Sequence, residues 1–208
     1  MAAELVLALT KGRILDDELS LLSRIGIEPV DDPRTSRKLV FETNNTNIRI
    51  MVLRGTDVAT YVEHGIADVG MSGKDVLLEH GGDGFYEPLD LGLGRCRLMV
   101  AKLVKEGELP TRLRIATKFT NTAKRYYAER GIQVDIIKLY GAMELAPVTG
   151  LAHRIVDIVE TGNTLKANGL EAVELIEEIS TRLIVNTTAY KTKNEQVRSL
   201  VDSLESIL

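Results

Sequence analysis

The chain has 208 residues, 44% hydrophobic and 27% charged, with a formal net charge of -4; this ordinary globular composition excludes disordered, collagen-like and low-complexity classes and is enough for one domain or two small lobes. An acidic protein with no Trp, six Tyr and three Phe lacks the basic face and stacking aromatics of a general nucleic-acid binder. The longest apolar runs fall well short of a membrane span, the start has no signal-like pattern, and the single Cys96 excludes an internal disulfide, so a soluble cytoplasmic protein that binds neither membrane nor nucleic acid is expected.

Residues 4–9 form an apolar run ending in Thr10-Lys11-Gly12-Arg13, after which Ile14, Leu15, Leu19, Leu22 and Ile25 recur at helical spacing up to Gly26. This is strand, polar turn and helix, the first half of a βαβ unit. RKLVFET and NIRIMVLR read as two strands, either a hairpin or an adjacent pair. From Thr56 a helix with Val58, Tyr61 and Val62 on one face runs to Gly65, ADVGM follows as a buried strand, and Ser72-Gly73-Lys74-Asp75 opens another helix. Beyond the glycines at 81–84, RLMVAKL reads as a strand crossing into new territory, with a lobe boundary near Gly92 to Arg95. RIATKF, a helix through NTAKRYYAERG and the strand QVDIIKLY then repeat the βαβ rhythm of an α/β protein. Seven basic and two acidic side chains between Arg112 and Lys138 make this stretch locally positive, which concentrates anion attraction there.

From Leu170 to Val185 the spacing of Leu170, Val173, Ile176 and Ile179 favours a helix, and the tail from Asn194 to Leu208 is amphipathic and helical. Gly65-Ile66-Ala67 leading to Ser72-Gly73-Lys74-Asp75 is echoed by Gly150-Leu151-Ala152 leading to Thr161-Gly162-Asn163-Thr164, a short internal repeat that suggests two similar lobes. The expected division is 1–94 with 184–208 for lobe I, and 95–183 for lobe II.

The chemistry concentrates after IVDIV, residues 155–159, where Asp157 stands among four apolar residues. A carboxylate there is costly unless something binds it. Thr161-Gly162-Asn163-Thr164 follows, and a hydroxyl-glycine turn entering a helix directs backbone N–H groups and hydroxyls at one spot, a cradle for a phosphate. An acid beside such a cradle, at the C-terminal end of a strand, suits a sugar phosphate; the plainer reading is a helix cap beside a solvated acid. Lys11-Gly12-Arg13 occupies the same kind of position at the first turn, as an anion site or as surface charge. His64, His80 and His153 are scattered, and no metal-ligand spacing is present.

Glu144, Gly150, Ala152, Ile155, Asp157-Ile158 and Thr161-Gly162-Asn163-Thr164-Leu165 together resemble the signature of the ATP phosphoribosyltransferase family. The likeness extends to Thr10-Lys11-Gly12-Arg13, Ser36-Arg37-Lys38, Arg54, Asp57, Gly73-Lys74-Asp75-Val76-Leu77, RIATKF and Leu183 to Asn186, and so spans nearly the whole chain. It implies a periplasmic-binding-protein-like (type II) pair of α/β lobes with the active site in the cleft between them. The implied reaction joins N1 of the ATP adenine to C1 of phosphoribosyl pyrophosphate and releases pyrophosphate, with Mg²⁺ bound mainly through the substrate phosphates, as the first step of histidine biosynthesis. In these terms Asp157 holds the ribose hydroxyls, Thr161 to Thr164 the 5′-phosphate, and Arg13 and Arg37 are catalytic, stabilising the departing pyrophosphate. Glu144 is assigned to phosphoribosyl pyrophosphate, and Lys11, Gly12, Arg54 and Asp75 to ATP or pyrophosphate.

A chain ending at Leu208 is similar to the short form of the family, without the C-terminal regulatory domain. The resemblance implies a homodimeric catalytic unit and a separate histidyl-tRNA-synthetase-like regulatory subunit in a hetero-octamer, with weak or histidine-insensitive activity for the chain alone. Two rivals stand beside it. IVDIVETGNT is similar to the loop of the common purine and pyrimidine phosphoribosyltransferases, which normally carries two adjacent acids where this chain has Asp157-Ile158. A bilobal solute receptor without catalysis is the other, against which the absent export signal counts.

Overall fold

The computed structural model describes residues 4–208. Its contacts gather into two compact units, one running to Gly94 and resuming with Ser180–Leu208, the other Arg95–Ile179.

The first unit begins with β1 (Leu5–Thr10), α1 (Leu15–Arg24), β2 (Val40–Glu42), β3 (Ile48–Leu53), α2 (Gly55–Glu63), β4 (Val69–Gly73), α3 (Lys74–His80) and β5 (Phe85–Asp90). The second contains β6 (Cys96–Leu103), β7 (Leu113–Thr117), α4 (Thr120–Glu129), β8 (Val134–Lys138), α5 (Leu145–Val148), β9 (Arg154–Val159), α6 (Asn163–Ala167) and β10 (Leu170–Ile179). The chain then returns to the first unit with β11 (Thr181–Asn186), α7 (Thr187–Thr192) and α8 (Asn194–Glu205).

Each unit holds one sheet, ordered β2-β3-β1-β4-β11-β5 in the first and β10-β6-β9-β7-β8 in the second. In the first, β1 lies parallel to β3 and β4, and β11 runs antiparallel to β4 and β5. In the second, β7 lies parallel to β8 and β9, and β6 runs antiparallel to β9 and β10. Strand for strand, β3-β1-β4-β11-β5 has the order and directions of β8-β7-β9-β6-β10. The internal repeat is therefore structural: β4 and β9 hold equivalent places, each preceded by a glycine with positive φ, Gly65 at +68° and Gly150 at +74°, a conformation that glycine adopts without steric cost.

Two apolar layers cover the first sheet. Leu15, Leu19 and Leu22 of α1 and Val197, Leu200 and Leu204 of α8 pack with Leu5, Leu7 and Leu9 on one face, while Val58, Ala59 and Val62 of α2 pack with Ala8 and Ile184 on the other. Tyr61, expected on the apolar face of α2, is 37% exposed; the smaller Ala59 takes the contact because the helix lies close on β4. A Cβ added at Gly70 would stand 2.8 Å from Val58 Cγ1 and from Val62 Cγ2, well inside ordinary contact distance. Gly70→Ala is therefore expected to destabilise the fold by about 2 kcal/mol through overpacking, read as a lower denaturation midpoint at unchanged m-value.

Three expectations require correction. The helix expected within Leu170 to Val185 is β10 followed by β11, because β10 breaks register with β6 between Ala172 and Glu174 and again between Leu175 and Glu177. Val173 and Ile176 are the residues skipped at these two irregularities, so the three-residue spacing marks breaks in register rather than one helical face. The return crossing lies between Ile179 and Ser180 rather than at residue 184, since Thr181–Asn186 pairs as one strand with β4 and β5. Finally, β5 went unseen because FYEPLD carries a proline and two acids; as the edge strand it tolerates a residue that cannot donate to the ladder.

Candidate functional site

In both units the candidate residues stand at the C-terminal edge of the parallel strands, where open α/β sheets bind ligands. In the first sheet this edge is cationic. β1 ends at Thr10, and Lys11-Gly12-Arg13 turns into α1 through Gly12 at φ +124°, with the Lys11 N–H bonded to Leu53 O at 2.6 Å and the Leu15 N–H to Gly12 O at 3.2 Å. Arg54 follows β3 directly and precedes α2. Val40 faces Met51 across the antiparallel β2–β3 pair, and the Val52 N–H bonds Leu39 O at 2.9 Å. The approach to β2 therefore meets β3 near its C-terminal end, two residues after Arg37. Lys11, Arg13, Arg37 and Arg54 are all exposed, so their charges meet whatever binds there.

Neighbouring charges at this edge are already engaged: Lys74 pairs with Glu87 at 2.8 Å and Lys38 with Asp31 at 2.5 Å. Asp75 folds back over Gly73, where its Oδ1 fills the space that a Cβ would need. The edge is fixed from below by two contacts absent from the sequence expectations. Thr10 Oγ1 donates to Met71 O at 3.0 Å, tying β1 to β4, and the Thr10 N–H donates to Glu18 Oε2 at 2.8 Å. Glu18 is fully buried; its visible sign was an acid in line with Leu15, Leu19 and Leu22 on the apolar stripe.

In the second sheet the edge offers oxygen and amide groups. β9 pairs with β7 only as far as Val156, opposite Thr117, but with β6 as far as Val159. Asp157 is thus the first residue of β9 beyond the end of β7. It is half-buried, and its Oδ1 accepts the Ile158 N–H at 2.8 Å. Thr117, buried at the end of β7, donates to Val156 O at 2.7 Å and accepts the Phe119 N–H at 2.9 Å, so a hydroxyl unnoticed in RIATKF sets where β7 stops and Asp157 emerges.

The loop after β9 runs through Thr161, Gly162, Asn163 and Thr164. Gly162 has φ +77°, while a Cβ there would meet only Val159 Cγ1 at 3.8 Å, so the backbone angle rather than space demands glycine. Thr161 Oγ1 receives the Asn163 N–H at 3.4 Å, and Leu165 is buried beneath the loop against the sheet. Thr161, Asn163 and Thr164 stay exposed, so two hydroxyls and a side-chain amide are open to solvent. Glu144, half-buried, precedes α5, which packs on β9. The structure thus gathers Asp157 with Thr161–Thr164 on one sheet edge, and Lys11, Gly12, Arg13, Arg37, Arg54 and Asp75 on the other. His153 serves the fold, its Nδ1 accepting the Arg114 N–H at 2.9 Å.

Among the described residues no three His, Cys, Asp or Glu side chains gather to hold a metal ion, and no helix is long and apolar enough to cross a membrane.

The profile of the ATP phosphoribosyltransferase family matches residues 54–206. ATP phosphoribosyltransferase of Saccharophagus degradans is 60% identical over 204 residues, covering 98% of this chain and 96% of the relative; that of Marinobacter nauticus is 59% identical over 208 residues, covering 99% and 96%. Among solved structures, the ATP phosphoribosyl transferase (HisG:HisZ) complex from Thermotoga maritima superposes with TM-score 0.86 at 37% identity, covering 98% of each chain. The periplasmic aliphatic sulphonate binding protein SsuA from Escherichia coli superposes with TM-score 0.60 at 10% identity over 99% of this chain and 68% of its own, a likeness of fold alone, which is periplasmic-binding-protein-like. With the profile over most of its length and such identity from end to end, the chain belongs to the ATP phosphoribosyltransferase family.

Proposed function

We propose that this chain carries out the family's reaction, with Asp157 and the Thr161–Thr164 loop holding the sugar phosphate and Arg13 and Arg37 meeting the leaving group. The reaction transfers the phosphoribosyl group of 5-phosphoribosyl 1-pyrophosphate to N1 of ATP, the first step of histidine biosynthesis. In it the C1–O bond to pyrophosphate breaks and takes its electron pair with the leaving group, while the N1 lone pair forms the new bond to C1. Positive charge grows on the ribose as negative charge grows on the pyrophosphate.

The observation that carries this reading is the position of Asp157, one residue beyond the end of β7 and just before a loop with outward hydroxyls and a left-handed glycine. A carboxylate there accepts hydrogen bonds from vicinal ribose hydroxyls while Thr161, Gly162, Asn163 and Thr164 hold the 5′-phosphate and Glu144 borders the sugar. Arg13 and Arg37 meet the pyrophosphate, since a guanidinium is a permanently charged fork matched to phosphate oxygens. Lys11, Gly12, Arg54 and Asp75 border ATP or pyrophosphate. N1 carries its own lone pair, so no general base is needed.

The carboxylate of Asp157 and the hydroxyls of Thr161 and Thr164 are oxygen donors of the type that Mg²⁺ takes, and the ion is assigned mainly to the substrate phosphates. Mg²⁺ so bound neutralises phosphate charge. The chain is further assigned a cytoplasmic place, a homodimeric catalytic unit and a histidyl-tRNA-synthetase-like regulatory partner in a hetero-octamer; the HisG:HisZ complex among its structural relatives supports the partner.

The test is pyrophosphate release from phosphoribosyl pyrophosphate. Release with ATP and not with free purine or pyrimidine bases is expected. Release with a free base would instead assign the chain to the common phosphoribosyltransferases, and binding without release to a non-catalytic receptor.

A further inference from the structure

Along β1 alternate amides face alternate neighbours. The Leu5 and Lys11 N–H groups bond toward β3, to Asn47 O at 2.8 Å and Leu53 O at 2.6 Å, so those of Val6, Ala8 and Thr10 face β4. Pairing with β4 covers only Leu7 and Ala8. The amides left over at the two ends are met by carboxylates: Val6 N–H by Asp68 Oδ2 and Thr10 N–H by Glu18 Oε2, both at 2.8 Å.

The two carboxylates differ in what balances them. Asp68 also receives the Lys193 ammonium at 2.7 Å. Glu18 has no ion pair among the described residues, and its Oε1 is buried without a hydrogen-bond partner. Burial pushes the Glu18 carboxyl well above its ordinary range, with the Thr10 amide pulling it down and Asp17 adding to the rise. The contact reaches the Thr10 amide from inside the fold, at the foot of the turn that carries Lys11 and Arg13. β1 is already held along its whole length by β3. The Glu18 contact falls only at the residue where the strand passes into that turn.

We propose that Glu18 is a positioning residue for the reaction: from inside the fold it holds the Thr10 amide and thereby sets the path of the Lys11-Gly12-Arg13 turn that presents Arg13 to the leaving group. This rests on the assignment of Arg13 to the pyrophosphate, and the experiment separates the two. In the full chain, Glu18→Gln keeps an acceptor for Thr10 at nearly the same size, so kcat is expected within about twofold of the original. Glu18→Leu keeps the volume and removes the acceptor, and is expected to lower kcat about tenfold or more, as small misplacements of a reacting group do, with little change in KM. In an Arg13→Ala background the same Glu18→Leu change should lower kcat by less than about threefold, because its effect passes through Arg13. If Glu18→Leu fails to fold, Glu18→Met, unbranched and adaptable, takes its place with the same expectations.

Loss of turnover in Arg13→Ala but none in Glu18→Leu overturns the positioning role. So does a Gln variant as impaired as the Leu variant, or fully multiplicative effects in the double variant. Normal turnover in Arg13→Ala instead removes the assignment on which the proposal stands.

Discussion

Arg13→Ala is expected to lower kcat by about a hundredfold, equivalent to about 3 kcal/mol of transition-state stabilisation, while the KM for phosphoribosyl pyrophosphate should change much less. The split follows from when the charge arises. Pyrophosphate carries much of its charge before the reaction begins, but the oxygen leaving C1 becomes anionic only as the bond breaks, and removing a group that meets that new charge lowers kcat. Arg13 suits the task because its backbone is fixed on both sides, by Lys11 N–H to Leu53 O and by Leu15 N–H to Gly12 O, while its side chain is exposed. A backbone held in this way limits how far the cation must move as charge develops. Arg13→Lys should recover only part of the loss, since an ammonium cannot offer the paired donors of a guanidinium. Steady-state kinetics with both substrates varied decides the matter, and unchanged turnover in Arg13→Ala takes the residue out of catalysis.

The second large effect is on binding. Asp157→Ala is expected to weaken phosphoribosyl pyrophosphate about a hundredfold, because two hydroxyl contacts to a charged acceptor disappear together and each is worth about 1.5 kcal/mol or more. The fold should survive. Asp157 is half-buried at a point where β9 has already passed its parallel neighbour, and Ile155, Val156 and Val159, all buried, still anchor the strand. Titration calorimetry with the donor substrate, beside a thermal melt, separates lost affinity from lost structure. Normal affinity in a folded Asp157→Ala variant would reject the ribose assignment.

The sequence was most legible where one strand and one helix follow each other with a turn between. β1 with α1 and β9 with α6 were visible because their apolar spacing, their glycines with positive φ and their polar turns all point the same way. It was least legible where tertiary pairing overrides local pattern: the irregularities in β10 are set by its register with β6, and nothing within ten residues encodes that partner. The site divides along the same line. Asp157 and the Thr161–Thr164 loop form one contiguous stretch. Arg37 comes just before the segment that meets the C-terminal end of β3 only because β2 runs antiparallel to β3, a pairing for which hairpin and neighbour were both open. Glu18 and Thr117 escaped notice because their importance lies in bonds to distant main chain, Glu18 to Thr10 and Thr117 to Val156.

The outgoing and returning strands of the first unit are bonded to each other where the second unit departs, Leu91 N–H to Thr181 O and Thr181 N–H to Leu93 O, both at 2.9 Å. Residues 95–179 are in this sense a cassette whose two ends meet. A bridge of a few residues is expected to close the gap at small entropic cost, since β11 pairs with β4 and β5 through residues of the first unit alone. The architecture allows graft or removal of an entire sheet without re-threading its host.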